Sequence, residues 1–199
     1  MRSRSLNLAA LLLAMALAGC GSSPKTSFYT LSSGAAPVKA DAKAAYTVAL
    51  GAIGLPDSLD RPQLVLRAGA NQVTIAEFER WSGPLKGEIG SAIAENLTQQ
   101  LSGASVFAYP QSATVNADYR VVIDVQRLDS ALGDAATIDV TWQVQPAKGE
   151  SKGGRSVARE SAGGAGYDAL IAAHARALAS VSRDIAAAIN LRATGAAVR

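Results

Sequence analysis

Leu85, Ile89, Ile93, Leu97 and Leu101 recur at every fourth position, which lays one apolar stripe along a helix. Ser82 or Gly83 precedes the stripe, Pro84 suits a first helical turn and Gly103 an exit, so the spacing predicts a helix over 85–101. A second stripe of Ile171, His174, Leu178, Val181, Ile185 and Ile189 predicts another helix from residue 167 to about residue 191. Elsewhere the period is two. Residues 137–145 alternate, with Ile138, Val140, Trp142 and Val144 facing inward, and 46–53 place Tyr46, Val48 and Leu50 on one face. Residues 119–128 are apolar on both faces in their middle, as a central strand is. Residues 27–31 read as a short strand, and 63–67 and 72–78 as a hairpin around Ala68-Gly69-Ala70-Asn71. The Gly- and Lys-rich stretch 148–156 reads as a loop before a weak edge strand at 156–161, residues 32–45 as a linker, and 193–199 as a frayed tail. These elements predict an α+β fold: an antiparallel or mixed β-sheet covered by two main helices, a two-layer sandwich.

The first residues belong to none of these layers. Arg2 and Arg4 precede an apolar run from Leu6 to Ala18, the charged and apolar regions of a secretory signal. Thirteen helical residues span about 20 Å, short of the ~30 Å hydrocarbon core, so a permanent transmembrane helix is a poor reading. The run ends in Leu17-Ala18-Gly19-Cys20, which resembles the bacterial lipobox. Residues 1–19 are therefore expected to be a cleaved signal peptide, Cys20 the acylated first residue, 20–27 a lipidated tether and 28–192 the folded domain. Several acyl chains, palmitate among them, would make that anchoring stable, since one chain alone holds only marginally. Gly rather than Asp at position 21 favours the outer membrane.

Composition narrows the class further. Cleavage would remove 19 of 199 residues and two of the 19 basic side chains, so 17 cations would face 16 acids. A net charge of +1 leaves no nucleic-acid footprint. Cys20 is the only cysteine, so no disulfide is available and the core must be built from Val, Ile, Leu and Ala, aromatics being only 5% of the chain.

No catalytic constellation is visible: there is no G-x-S-x-G elbow, no phosphate loop and no spaced metal-ligand cluster. His174, the single histidine, lies on an apolar stripe and reads as a packing residue rather than a base or ligand. Gly163-Gly164-Ala165-Gly166 lacks the Lys-Ser/Thr of a nucleotide site and reads as a loop. An enzyme is not expected, and no cofactor or metal is implied.

Two clusters carry more information. Leu55 to Gln63 brackets Asp60 and Arg61 with Pro56 and Pro62. It reads as a rigid turn with an Asp60–Arg61 surface pair, or as a preorganised loop that meets a partner. In Glu79 to Leu85, Trp81 either staples the helix entrance to the sheet or, with Arg80, anchors an interface. On the residues alone the structural reading of each is preferred.

Read together with the lipobox, these clusters resemble the PqiC-like ABC-type transport auxiliary lipoproteins. The matching segments are Phe28-Tyr29-Thr30-Leu31, Leu55 through Val65, Arg80 through Leu85 with Asn96-Leu97, Tyr109-Pro110, and the strand Tyr119 to Val125. The stretch 148–156 departs from the family, which often carries a more hydrophobic Trp/Arg-containing strand there. The resemblance implies a periplasm-facing outer-membrane lipoprotein that serves as docking subunit for an MCE-type periplasmic protein and ABC transporter components moving lipid between the envelope membranes. The functional readings of the two clusters make Asp60, Arg61, Arg80 and Trp81 the partner-binding candidates, and the resemblance implies a ring-like homo-oligomer without setting a subunit number. Competing readings are a lipid-binding carrier and a structural lipoprotein that reinforces the envelope.

Overall fold

The computed structural model describes residues 24–32 and 45–196. The expected signal peptide, Cys20, most of the expected tether and linker, and the last three residues lie outside them. Among the described residues, eight strands, two α-helices and one short 3-10 turn follow one another as β1 (Ser27–Tyr29), β2 (Tyr46–Gly54), β3 (Gln63–Arg67), β4 (Val73–Trp81), α1 (Leu85–Gln100), β5 (Ala104–Phe107), the 3-10 turn (Gln111–Thr114), β6 (Tyr119–Ala131), β7 (Ala135–Pro146), β8 (Lys152–Ser161) and α2 (Tyr167–Ala196). The class is α+β, and the sheet is mixed rather than purely antiparallel. It is also divided: five strands run in the order β5-β2-β6-β7-β8, and a separate small sheet has the order β1-β4-β3.

The long β6–β7 hairpin is the backbone of the large sheet, in register from Tyr119↔Pro146 to Ala131↔Ala135 with one irregularity between Val125 and Arg127. Its tight turn is closed by the Asp134 amide donating to the Ala131 carbonyl at 3.0 Å. Val121, Ile123 and Val125 face the core, but Val122, Asp124 and Gln126 face solvent. β6 is the central strand of the five, as expected, but its second apolar face at Val122 is exposed rather than covered. Both helices lie against one face only, and the other face carries the polar set Thr141, Gln143 and Arg155.

The helical stripes bury as their spacing dictates. Leu85, Ile89, Ile93 and Leu97 of α1 and Leu178, Val181, Ile185 and Ile189 of α2 join Val48, Leu50, Val121, Ile138 and Val140 in one core. Each such side chain contributes roughly 1.5–3 kcal/mol when fully buried. Gly103 ends the α1 exit in the left-handed region at φ 73°, where other residues are strained. α2 runs past residue 191 to Ala196.

Two strands depart from the sequence reading. β5, a four-residue strand parallel to β2, carries no alternation to announce it. β8 begins at Lys152, inside the stretch expected to be a loop. The reason is Trp142, whose cross-strand partner is Gly154. A Cβ at Gly154 would stand 2.3 Å from the indole, so the ring can lie over the strand only because glycine is there. The indole Nε1 donates to Ser156 Oγ at 2.9 Å, and Ser156 donates to Asp184 Oδ2 of α2 at 2.5 Å. Gly154→Ala is expected to displace the indole, break this chain and lower stability by about 1–3 kcal/mol, the usual cost of overpacking. Denaturant titration would check it. An equal loss in the Trp142→Ala background would show that the ring is not the cause.

Candidate partner-binding surface

The two clusters singled out in the sequence are folded onto each other. The loop after β2 turns through Leu59, whose amide donates to the Pro56 carbonyl at 2.9 Å, and delivers Pro62 beside Trp81, whose amide donates to the Pro62 carbonyl at 2.7 Å. β3 starts there, with Gln63 opposite Arg80. On the other side of β4, the parallel strand β1 pairs Phe28 with Arg80 and Tyr29 with Trp81. Segments some fifty residues apart thus meet around one cleft of about 450 Å³, lined by Phe28, Asp60, Arg61, Pro62, Arg80 and the residues 81–85.

Each candidate takes a definite place. Asp60 does not pair with Arg61: it accepts from Lys86 Nζ of α1 at 2.7 Å, with both side chains largely exposed. Adjacent residues in a turn diverge, whereas the first turn of α1 brings Lys86 over the loop. Such a surface pair is worth at most about 1 kcal/mol, so its role is to position the loop. Arg61 is half-buried, and its Nε is enclosed without a hydrogen-bond partner. Arg80 is half-buried and donates weakly to the Glu77 carbonyl at 3.4 Å. Trp81 is only 4% exposed and forms the floor of the cleft, its indole edge-on to His174 at 6.5 Å. The rim supplies charge, and Phe28, 65% exposed, supplies the open apolar surface.

Lys86 and Glu88 carried no signal in the sequence, and Phe28 stood there only in a family-matching segment, not as a residue of the cleft. Glu88, in the first turn of α1, accepts from Ser82 Oγ at 2.7 Å and from the Leu31 amide at 3.0 Å, tying the residues after β1 to the helix entrance. An acid in a first turn is a legible signal, but its reach to Leu31 is not. Tyr29 donates to Glu79 Oε2 at 2.7 Å, and burial together with that carboxylate pushes its hydroxyl pKa up to about 12. Tyr29 is therefore a fixed neutral donor at any physiological pH. Beneath the site, His174 is 1% exposed and shares a 2.8 Å hydrogen bond between Nε2 and Ser130 Oγ.

Among the described residues no three His, Cys, Asp or Glu side chains gather as metal ligands would, and no helix is long and apolar enough to cross a membrane. The arrangement is an α+β frame that presents charged side chains around a cleft floored by Trp81. The chain belongs to the ABC-type transport auxiliary lipoprotein component family, whose model matches residues 29–186. The match starts at Tyr29 of β1 and ends within α2, so it spans both sheets and both helices. No curated protein matches the chain. Among solved structures, the crystal structure of an uncharacterized protein superposes with a TM-score of 0.70 at 21% identity, covering 83% of this chain and 99% of that one. Protein XCC0632 of Xanthomonas campestris, from the DUF330 family, superposes with a TM-score of 0.63 at 14% identity, covering 87% and 100%. At these identities the likeness is one of fold.

Proposed function

We propose that this chain is a non-catalytic docking subunit, held by acyl groups on Cys20 at the periplasmic face of the outer membrane, for an MCE-type periplasmic protein and its ABC transporter. The observation that carries this reading is the family match over residues 29–186. The cleft gives it a surface: Phe28 as the apolar anchor, Asp60, Arg61 and Arg80 as the polar rim, and Trp81 as the floor that fixes their spacing. An aromatic anchor bordered by arginine is the composition of interface hot spots. Gly21 supports the outer rather than the inner membrane.

The test has two arms. A photo-crosslinking residue at position 28 is expected to capture the MCE-type protein, whereas one at Gln143 on the open face of the large sheet is not. Equal capture from both positions, or none from either, would sink the docking surface. Cys20→Ala, with residues 1–19 unchanged, is expected to release the domain from the outer membrane and abolish lipid transport while leaving the fold intact. Wild-type transport by that variant would exclude the anchored docking role.

A further inference from the structure

A second cavity, of about 310 Å³, lies where the two sheets meet. β3 is the outer strand of the small sheet and faces β6 of the large one across this groove. Val65, Val73 and Ile75 of the β3–β4 hairpin line one wall, and Leu128 of β6 the other. Val73 is 61% exposed and Ile75 43%, so the lip of the groove is apolar and open. Hydrophobic side chains held in the open around a concavity mark a place where something binds.

The charges around the groove say what kind of thing. Arg61, Arg67 and Arg127 line it, and Asp129 is the one carboxylate among its lining residues. Three guanidiniums against one carboxylate leave two positive charges. Asp129 shares a single oxygen, Oδ2, between Arg67 at 2.8 Å and Arg127 at 2.9 Å, so neither guanidinium has a carboxylate to itself. Arg61 Nε is buried with no acceptor among the described residues. The planar fork of arginine matches carboxylate and phosphate oxygens, a match that an ammonium lacks.

We propose that this groove binds a single-chain anionic amphiphile. Its alkyl chain lies on Val65, Val73, Ile75 and Leu128, and its carboxylate or phosphate is held by Arg61 and Arg127. The volume sits at the lower limit of small-molecule sites, about 300–1,000 Å³, which favours one alkyl chain over two. The inference concerns a different cavity and a soluble ligand; Arg61 lies between the two cavities and lines both, whereas Arg127, Val73 and Ile75 belong to this groove alone.

Titration calorimetry tests it on the chain carrying Cys20→Ala, so that no acyl group of its own competes. The probes are decanoate, decyl phosphate and the uncharged decanol. At least one of the two anions is expected to bind saturably, and at least about tenfold more tightly than decanol. The tighter of the two tells whether the natural headgroup is a carboxylate or a phosphate. Arg61→Gln and Arg127→Gln are each expected to weaken anion binding about tenfold and leave decanol unchanged. Ile75→Ser, at an exposed position, should weaken all three probes with an unaltered thermal transition. The proposal is overturned if no probe binds saturably, if decanol binds as well as the anions, or if both arginine variants leave anion affinity unchanged. Any of those outcomes leaves the docking reading intact, since that reading is judged by capture of the transporter and by transport.

Discussion

Trp81→Ala is expected to be among the most destabilising single substitutions in the fold, costing about 3–5 kcal/mol. Trp81 ends β4, is buried beneath the cleft, and faces His174 across the core. Its removal takes away apolar contact area and leaves a void that the paired strands on either side, β1 and β3, are not free to fill. For a domain of this size the loss corresponds to a fall on the order of 10 °C in the unfolding temperature. Trp81→Phe should recover most of it. Calorimetry decides the matter: a loss under about 1 kcal/mol would mean that the indole is not part of the core. The comparison with Arg80→Ala separates two roles, because a rim residue should impair partner capture without moving the melting transition.

The second large effect depends on pH. Burial lowers the pKa of His174 from 6.5 to about 4, a nearby Asp129 charge opposing this only in part. The protonated ring carries an N–H on both nitrogens, and Nδ1 is buried with no hydrogen-bond partner among the described residues. The neutral ring therefore belongs to the folded state, while the unfolded chain takes up the proton near pH 6.5. The stabilisation is complete above pH 6.5 and is lost as the pH falls toward 4, because the unfolded state then binds the extra proton. At about 1.4 kcal/mol per unit, the loss reaches about 3 kcal/mol at the bottom of the window. Denaturant titrations between pH 7 and 5 are expected to show this slope in the wild type and not in His174→Gln, whatever that variant's stability at pH 7. Parallel slopes would assign the effect elsewhere. Below that window the carboxyl of Asp139, held under the usual carboxylate range by its hydrogen bonds to Arg155, adds a further loss as it protonates.

Much of the frame was legible because it rests on local periodicity. The α1 stripe from Leu85 to Leu97, the alternation of Ile138, Val140, Trp142 and Val144, and the hairpin at 68–71 each state their structure within a dozen residues. The failures share a cause: the deciding contact is distant. β5 has four residues and exists because β2 offers it a parallel edge. The Gly-rich start of β8 is a strand because Trp142, twelve residues earlier, needs the room over Gly154. Val122 looked like the outer half of a buried strand, but none of the described elements covers it and it stands 43% exposed. At the site, both clusters were visible, yet their convergence depends on the β3–β4 register, which sets Gln63 opposite Arg80, and the β1–β4 register then adds Phe28. Asp60 likewise found its cation in Lys86, not in the adjacent Arg61.

The pairing of β2 also bears on the order of assembly. Tyr46 pairs with Ala104 and Val48 with Tyr119, so β2 has no partner strand until more than half the chain exists. The β6–β7–β8 meander, by contrast, joins neighbours through short turns. Closing the long loops costs entropy before any contact repays it, and topologies of this kind fold slowly. A chain that emerges amino end first therefore carries Val48, Ala49 and Leu50, all wholly buried in the finished fold, as an unpaired apolar segment awaiting its downstream half.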